Sequence, residues 1–232
     1  MCGRYSIVAK AEEIAQRFSV EVPPSYQPHY NAAPSQLLPV ITSESQGGVS
    51  TFYWGLAPLL ARNKSVSERI INIRSETILE KSMFRKALKS QRCLVPADGF
   101  YEWKKLGKKT SIPYRFILKE NSIFAFAGLW EEYEDLNGVA FHTFSILTTE
   151  PNEVVSPVHD RMPVILNPQS EKIWMDPRAL EAELVSILNP FPGQEMESYT
   201  VSHRVNSAKN DDRYLLLPTP PTDQLGNLTL FG

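Results

Sequence analysis

Apolar positions recur at short intervals, and their period changes along the chain. Ile14, Ala15 and Phe18 fall at helical spacing and predict a short helix over Ala11–Phe18. Pro23, Pro24, Pro28 and Pro34 then enforce an extended connection, because each proline fixes φ and removes a backbone donor. Leu37–Thr42 and Val49–Trp54 read as strands joined across Gly47-Gly48, and Glu76–Lys89 reads as a helix ending near Ser90. Strands dominate the middle. Arg92–Val95, Tyr114–Lys119, Ile123–Leu129, Ala140–Thr149 and Pro163–Leu166 are apolar or alternating, with Asn137-Gly138 as a turn between two of them. Pro177–Leu188 predicts a closing helix, and a proline-rich stretch from Pro218 precedes a short tail. Without internal repeats or low-complexity tracts, the pattern reads as one mixed α+β domain over residues 1–217, with a linker and tail over 218–232.

Composition narrows the function classes. In 232 residues, 42% hydrophobic and 10% aromatic content supports a substantial core. No apolar run approaches the roughly 20 residues of a membrane span, so no membrane partner is expected. The net charge of −2 means that any contact with nucleic acid must come from a local basic surface. Two cysteines without a CxxC pair and four scattered histidines offer no metal-ligand spacing, so neither metal nor other cofactor is expected. A Cys2–Cys93 disulfide is the lesser alternative, because no signal-peptide pattern precedes them and a cytoplasmic chain, nucleoid-associated if bacterial, is expected.

The most informative chemistry is at the start, Met1-Cys2-Gly3-Arg4-Tyr5. A methionine before a side chain as small as cysteine is normally trimmed, which would leave Cys2 with a free thiol and a free α-amine. This 1,2-aminothiol can condense with an aldehyde to an imine and then close a thiazolidine ring. An α-amine has a pKa about 7.7–8.0 against about 10.4 for lysine, so at neutral pH it is roughly several hundredfold richer in the nucleophilic form. A nearby cation such as Arg4 is expected to raise the thiolate fraction. The plainer reading is an incidental cysteine in a disordered terminus.

Four further constellations carry polar chemistry. Asn72 and Arg74 sit two apart in an extended segment and share one side of it, a pairing suited to phosphate or sugar oxygens. Glu102 lies between Tyr101 and Trp103 after Gly99, where apolar neighbours would raise its pKa for proton transfer. His159 is flanked by Asp160 and Arg161 before Pro163, a setting for a general acid or base. The run Ser202–Asp211 is a loop of positive and amide groups that either cradles a phosphate or is simply solvated.

Taken together, these strings resemble the SRAP family of SOS response-associated peptidases, understood as abasic-site processing proteins, from Met1 to about residue 215. The carrying motifs are Met-Cys-Gly-Arg-Tyr at the start, Tyr30-Asn31-Ala32-Ala33-Pro34, Trp54-Gly55-Leu56-Ala57-Pro58, Asn72-Ile73-Arg74-Ser75-Glu76-Thr77, Gly99-Phe100-Tyr101-Glu102-Trp103 and His159-Asp160-Arg161-Met162-Pro163. The resemblance implies a compact strand-rich fold with an antiparallel, barrel-like core and short peripheral helices. It also implies a groove for single-stranded DNA and covalent joining of Cys2 to an abasic site, shielding the lesion during replication or repair. Through it Asn72 would hold the sugar, Glu102 would manage the amine proton, and His159 would assist sugar opening or reversal. Arg4, Arg74 and Arg161 would grip phosphates, Asn31 joins the DNA-binding set, and Trp54, Met83 and Phe84 would stack or wedge bases. Lyase and self-processing peptidase activities are also implied. Leu60 stands where the family usually has a second tryptophan, which removes a base platform there.

Two other classes stay open at this level: an N-terminal-nucleophile amidase, whose thiol would suffice without DNA, and a non-catalytic reader of damaged DNA that would tolerate loss of Cys2. The tail Asn227-Leu228-Thr229-Leu230-Phe231 is similar to the pentapeptide by which bacterial repair proteins dock on the sliding clamp, which makes the clamp a candidate partner.

Overall fold

A computed structural model describes residues 2–42, 47–55, 70–107, 110–134, 138–222 and 228. Leu60, Asn137 and the clamp-like tail apart from Leu228 lie outside the described residues. No helix among the described residues is long and apolar enough to cross a membrane.

The strands form two sheets. One is five-stranded, in the order β13 (Met196–Thr200), β8 (Ser111–Leu118), β7 (Gly99–Lys105), β1 (Tyr5–Ile7), β2 (His29–Ala32). The other joins β10 (Ala140–Thr149), β4 (Ser50–Trp54), β3 (Leu37–Thr42), β6 (Arg92–Ala97) and β9 (Phe124–Glu134), and β9 pairs back to β10, closing a five-strand barrel. The barrel-like core expected from the resemblance is therefore present, and its pairings are antiparallel except that β4 and β5 (Asn72–Arg74) run parallel to β10. β11 (Met162–Pro163) pairs with β10, and β12 (Ile165–Leu166) with β9.

β6 and the first seven residues of β9 are buried on both faces, so alternate residues feed two cores. Along β9, Phe124 and Phe126 point into the cluster shared with Tyr5, Trp54 and Phe100, while Ala125, Ala127 and Leu129 face α2 (Ser82–Ser90), α3 (Pro168–Met175) and α4 (Glu181–Ser186). Small side chains on the helix side let those helices pack closely.

α1 (Ala11–Phe18), β3 and β10 lie as the pattern predicts, but the second helix does not. Ser75–Thr77 forms a 3-10 turn and α2 begins only at Ser82, because both oxygens of Glu76 are drawn to Arg161 at 2.6 and 2.8 Å. The closing helix is likewise only Glu181–Ser186, since the Asp176 carboxylate accepts the Arg178 N–H and makes a turn of the preceding residues. α3 carries its own start signal: Asn167 caps it by accepting the Ser170 N–H at 2.8 Å, with Pro168 in the first turn. Pro218–Thr222 does not hang free. It runs along the outer edge of β13, where the Thr219 N–H donates to Thr200 O at 2.9 Å and Pro218 bridges Val201. Cys2 and Cys93 are free thiols, both buried.

Asp98 joins the two sheets at the turn from β6 to β7. Its carboxylate accepts from Ser6 Oγ at 2.6 Å, from the Val8 N–H, and from the Arg115 guanidinium at 2.9 Å, and the ion pair is almost wholly buried. Arg115 also reaches Tyr199 Oη at 2.8 Å, and Tyr199 in turn donates to Leu216 O at 2.9 Å. Gly99 is required beside this pair, because a Cβ there would stand 2.9 Å from the guanidinium. Removing one member leaves a buried charge without its partner. Asp98→Ala is therefore expected to cost about 3–5 kcal/mol in urea unfolding, and a loss below about 1 kcal/mol would contradict this role.

Candidate active site

Cys2 is fully buried just ahead of β1, and its neighbours come from both sheets. Its thiol donates to Arg4 O at 3.6 Å, and its carbonyl accepts from Asn72 Nδ2 at 2.7 Å. Asn72 is placed by the parallel pairing of β5 with β10, opposite Ile146. Its Oδ1 is buried and accepts no hydrogen bond from the described residues.

Glu102 enters from β7, opposite Tyr114, and is 2% exposed. His159 enters from the turn after β10. That turn is fixed by Asn152, whose Oδ1 accepts the Val154 and Val155 N–H groups and whose Nδ2 donates to Phe191 O at 2.7 Å. His159 Nε2 lies 3.7 Å from Glu102 Oε2. Its Nδ1 is 3.0 Å from the Arg161 N–H and also 3.0 Å from an Asp160 carboxylate oxygen. The backbone amide is fixed, whereas the Asp160 side chain is 89% exposed and can turn to solvent, so the amide decides the tautomer. Nδ1 is the acceptor, and the ring proton of the neutral imidazole sits on Nε2, facing Glu102.

Burial shifts every group here toward its neutral form. It pushes the Glu102 carboxyl up to about 7. It raises the Cys2 thiol far above its ordinary range, reinforced by the Glu102 charge, and it lowers His159. The expected thiolate enrichment by Arg4 is therefore reversed: desolvation wins, and the Arg4 guanidinium points away to Asn31 Oδ1 at 3.1 Å and Val205 O at 2.9 Å.

The remaining predicted residues divide by exposure. Arg74 is exposed on β5. Arg161 is engaged by Glu76 and donates to Thr148 O at 2.7 Å. Asn31 is fully buried, and its Nδ2 donates to Val205 O, Ser207 O and Asn210 O at 3.2, 3.0 and 2.9 Å, which anchors the polar loop after β13. Trp54 is also fully buried, stacked on Phe144 at 6.2 Å, with its indole N–H on Ile71 O at 2.9 Å. Phe84 is buried under α2, while Met83 beside it is 37% exposed. Glu76, which holds Arg161, has as its only sequence signal an acidic position two residues after Arg74. Among the described residues no cluster of His, Cys, Asp and Glu is arranged to hold a metal ion.

The family model described as SOS response associated peptidase (SRAP) matches residues 1–208. The Bacillus subtilis protein named abasic site processing protein YoqW is 43% identical over 221 residues, covering 93% of this chain and 99% of that protein. Abasic site processing protein HMCES of Gallus gallus is 29% identical over 227 residues, covering 83% of this chain and 67% of that one. A crystal structure of a Bacteroides thetaiotaomicron protein superposes with a TM-score of 0.83 at 30% identity, covering 94% of this chain and all of that one.

A carboxyl that ionises near 7 in the fold and near its ordinary 4.5 when unfolded binds more protons folded than unfolded between those values. Ionised Glu102 thus weakens the fold as pH rises through that window. Glu102→Gln is expected to be more stable than wild type by on the order of 2 kcal/mol at about pH 8, the difference closing near pH 4. A difference independent of pH would contradict the assignment.

Proposed function

The chain belongs to the SOS response associated peptidase family, and on that premise we propose that it processes abasic sites in single-stranded DNA by joining itself to them through Cys2 once Met1 has been removed. The observation that carries this reading is the convergence of Asn72, Glu102 and His159 on a buried Cys2 whose thiol is held protonated.

The chemistry balances with these groups alone. The opened deoxyribose presents an aldehyde at C1′. The Cys2 α-amine attacks that carbon, and loss of one water gives the imine. The thiol then adds across the C=N bond, sulfur bonding to C1′ and its proton passing to nitrogen, which closes the thiazolidine. A carboxyl poised near 7 can take the proton that the α-ammonium must shed before attack and return it to the departing hydroxyl. The Nε2–H of His159 points along the same path and suits protonation of the sugar oxygen during opening. Asn72 fixes the Cys2 carbonyl, so the amine and thiol approach C1′ from a rigid main chain.

The state of the thiol also favours the crosslinking reading over its alternatives. An amidase needs its thiolate as the first nucleophile, and burial works against that form here. A thiol that adds second, to an imine already formed, has no such requirement. A reader of damaged DNA has no use for the buried thiol of Cys2.

The test is a denaturing gel of Met1-trimmed protein with single-stranded DNA carrying one abasic site. A heat-stable adduct is expected with wild type, with none for Cys2→Ala and none on undamaged DNA. Binding by both proteins without any adduct would overturn the proposal.

A further inference from the structure

His159 and Glu102 meet across the seam between the two sheets. Glu102 lies on β7 of the five-stranded sheet, whereas His159 lies in residues 150–161, which connect β10 to β11 in the other sheet. The 3.7 Å between His159 Nε2 and Glu102 Oε2 is therefore set by whatever orients that connection.

The connection turns twice before it reaches the imidazole. The Asn152 carbonyl accepts the Ser156 N–H at 2.9 Å, and the Val155 carbonyl accepts the Val158 and His159 N–H groups at 2.9 and 3.0 Å. Asn152 Oδ1 caps the first turn by accepting the Val154 and Val155 N–H groups at 3.1 and 3.0 Å, as an asparagine does at the start of a helix. Val155 is thus held through its N–H by Asn152 and through its carbonyl by His159, with its side chain buried in the core beside Tyr5 and Trp54. A single residue links the cap to the imidazole.

The other end of the Asn152 side chain is fastened to the opposite sheet. Its Nδ2 donates to Phe191 O at 2.7 Å and to Met196 Sδ at 3.1 Å, and Met196 begins β13 of the five-stranded sheet. The Asn152 backbone N–H donates to Met162 Sδ at 3.4 Å, on β11 three residues after His159. Asn152 is buried, and each of its polar atoms is engaged.

We infer that Asn152 is a positioning residue for the crosslinking reaction: its Oδ1 sets the turn that presents His159, and its Nδ2 holds that turn against the sheet that carries Glu102. The inference rests on the proposed joining of Cys2 to an abasic site. Without the cap, the Val154 and Val155 amides lose their acceptor and the turn relaxes, and a displacement of about 1 Å at a reacting group can cost on the order of a hundredfold in rate. A serine at this position keeps a weaker acceptor for the same amides but lacks the Nδ2 donor.

The experiment follows the rate of adduct formation by Met1-trimmed protein at saturating single-stranded DNA with one abasic site. Wild type, Asn152→Ala and Asn152→Ser are compared, each with and without His159→Gln. Affinity is read separately on an oligonucleotide with a tetrahydrofuran analogue, which cannot open to an aldehyde. Asn152→Ala is expected to slow adduct formation roughly tenfold or more while changing that affinity less than about twofold, and Asn152→Ser to recover part of the rate. In the His159→Gln background the Asn152 changes are expected to cost less than about twofold, because the group they position is gone. An unchanged rate, a loss of the same size with His159→Gln, or a parallel loss of affinity would overturn the inference and leave the covalent reading standing. Should Asn152→Ala fail to fold by near-ultraviolet circular dichroism, Asn152→Ser decides by the same criteria. If wild type itself forms no adduct, the covalent reading fails and the inference falls with it.

Discussion

The buried ion pair between Asp98 and Arg115 is the constraint on which the rest depends. A chain terminus ordinarily frays, because its few contacts do not repay the entropy of ordering it. Here the first strand is three residues long, too short to hold itself between β2 and β7 by ladder bonds alone. Asp98 takes a hydroxyl and an amide from that segment, and Arg115 holds Asp98 against β8 and, through Tyr199, against the returning C-terminal chain. The same residue is the point where the chain passes from the barrel to the five-stranded sheet, so one interaction fixes both the seam and the terminus.

Once the terminus is fixed, desolvation sets the chemistry of the site. Cys2, Glu102 and His159 are all driven toward neutrality by burial, so protons can be exchanged among them without a standing charge. Exposed charge lies further along the same strands, at Arg74 on β5 and Lys105 on β7. This division suits a ligand whose reacting centre is a neutral sugar and whose flanks are phosphates.

The parts of the fold legible in the sequence are those whose periodicity is local. Ala11–Phe18, Leu37–Thr42 and Ala140–Thr149 carry their own pattern, and the structure forms them. β7 was not legible, because Gly99-Phe100-Tyr101-Glu102 is buried on both faces and shows no alternation of polar and apolar positions. The pairing of Glu76 with Arg161, which interrupts the expected helix, spans 85 residues and has no local signature. Asn31 makes the same point about the site. A sequence shows a polar amide, but not that its three acceptors are loop carbonyls more than 170 residues away. The resemblance motifs named residues that converge, while their exposure, pairing and protonation required the packed structure.

The covalent step is tested most directly by intact mass of the trimmed protein joined to an abasic oligonucleotide, before and after treatment with borohydride. A thiazolidine has lost one water relative to its two parts and contains no C=N bond, so the expected mass is the sum less one water, unchanged by the reductant. A gain of two hydrogens on treatment would mean that the linkage is an open imine, and that the Cys2 thiol does not close the ring.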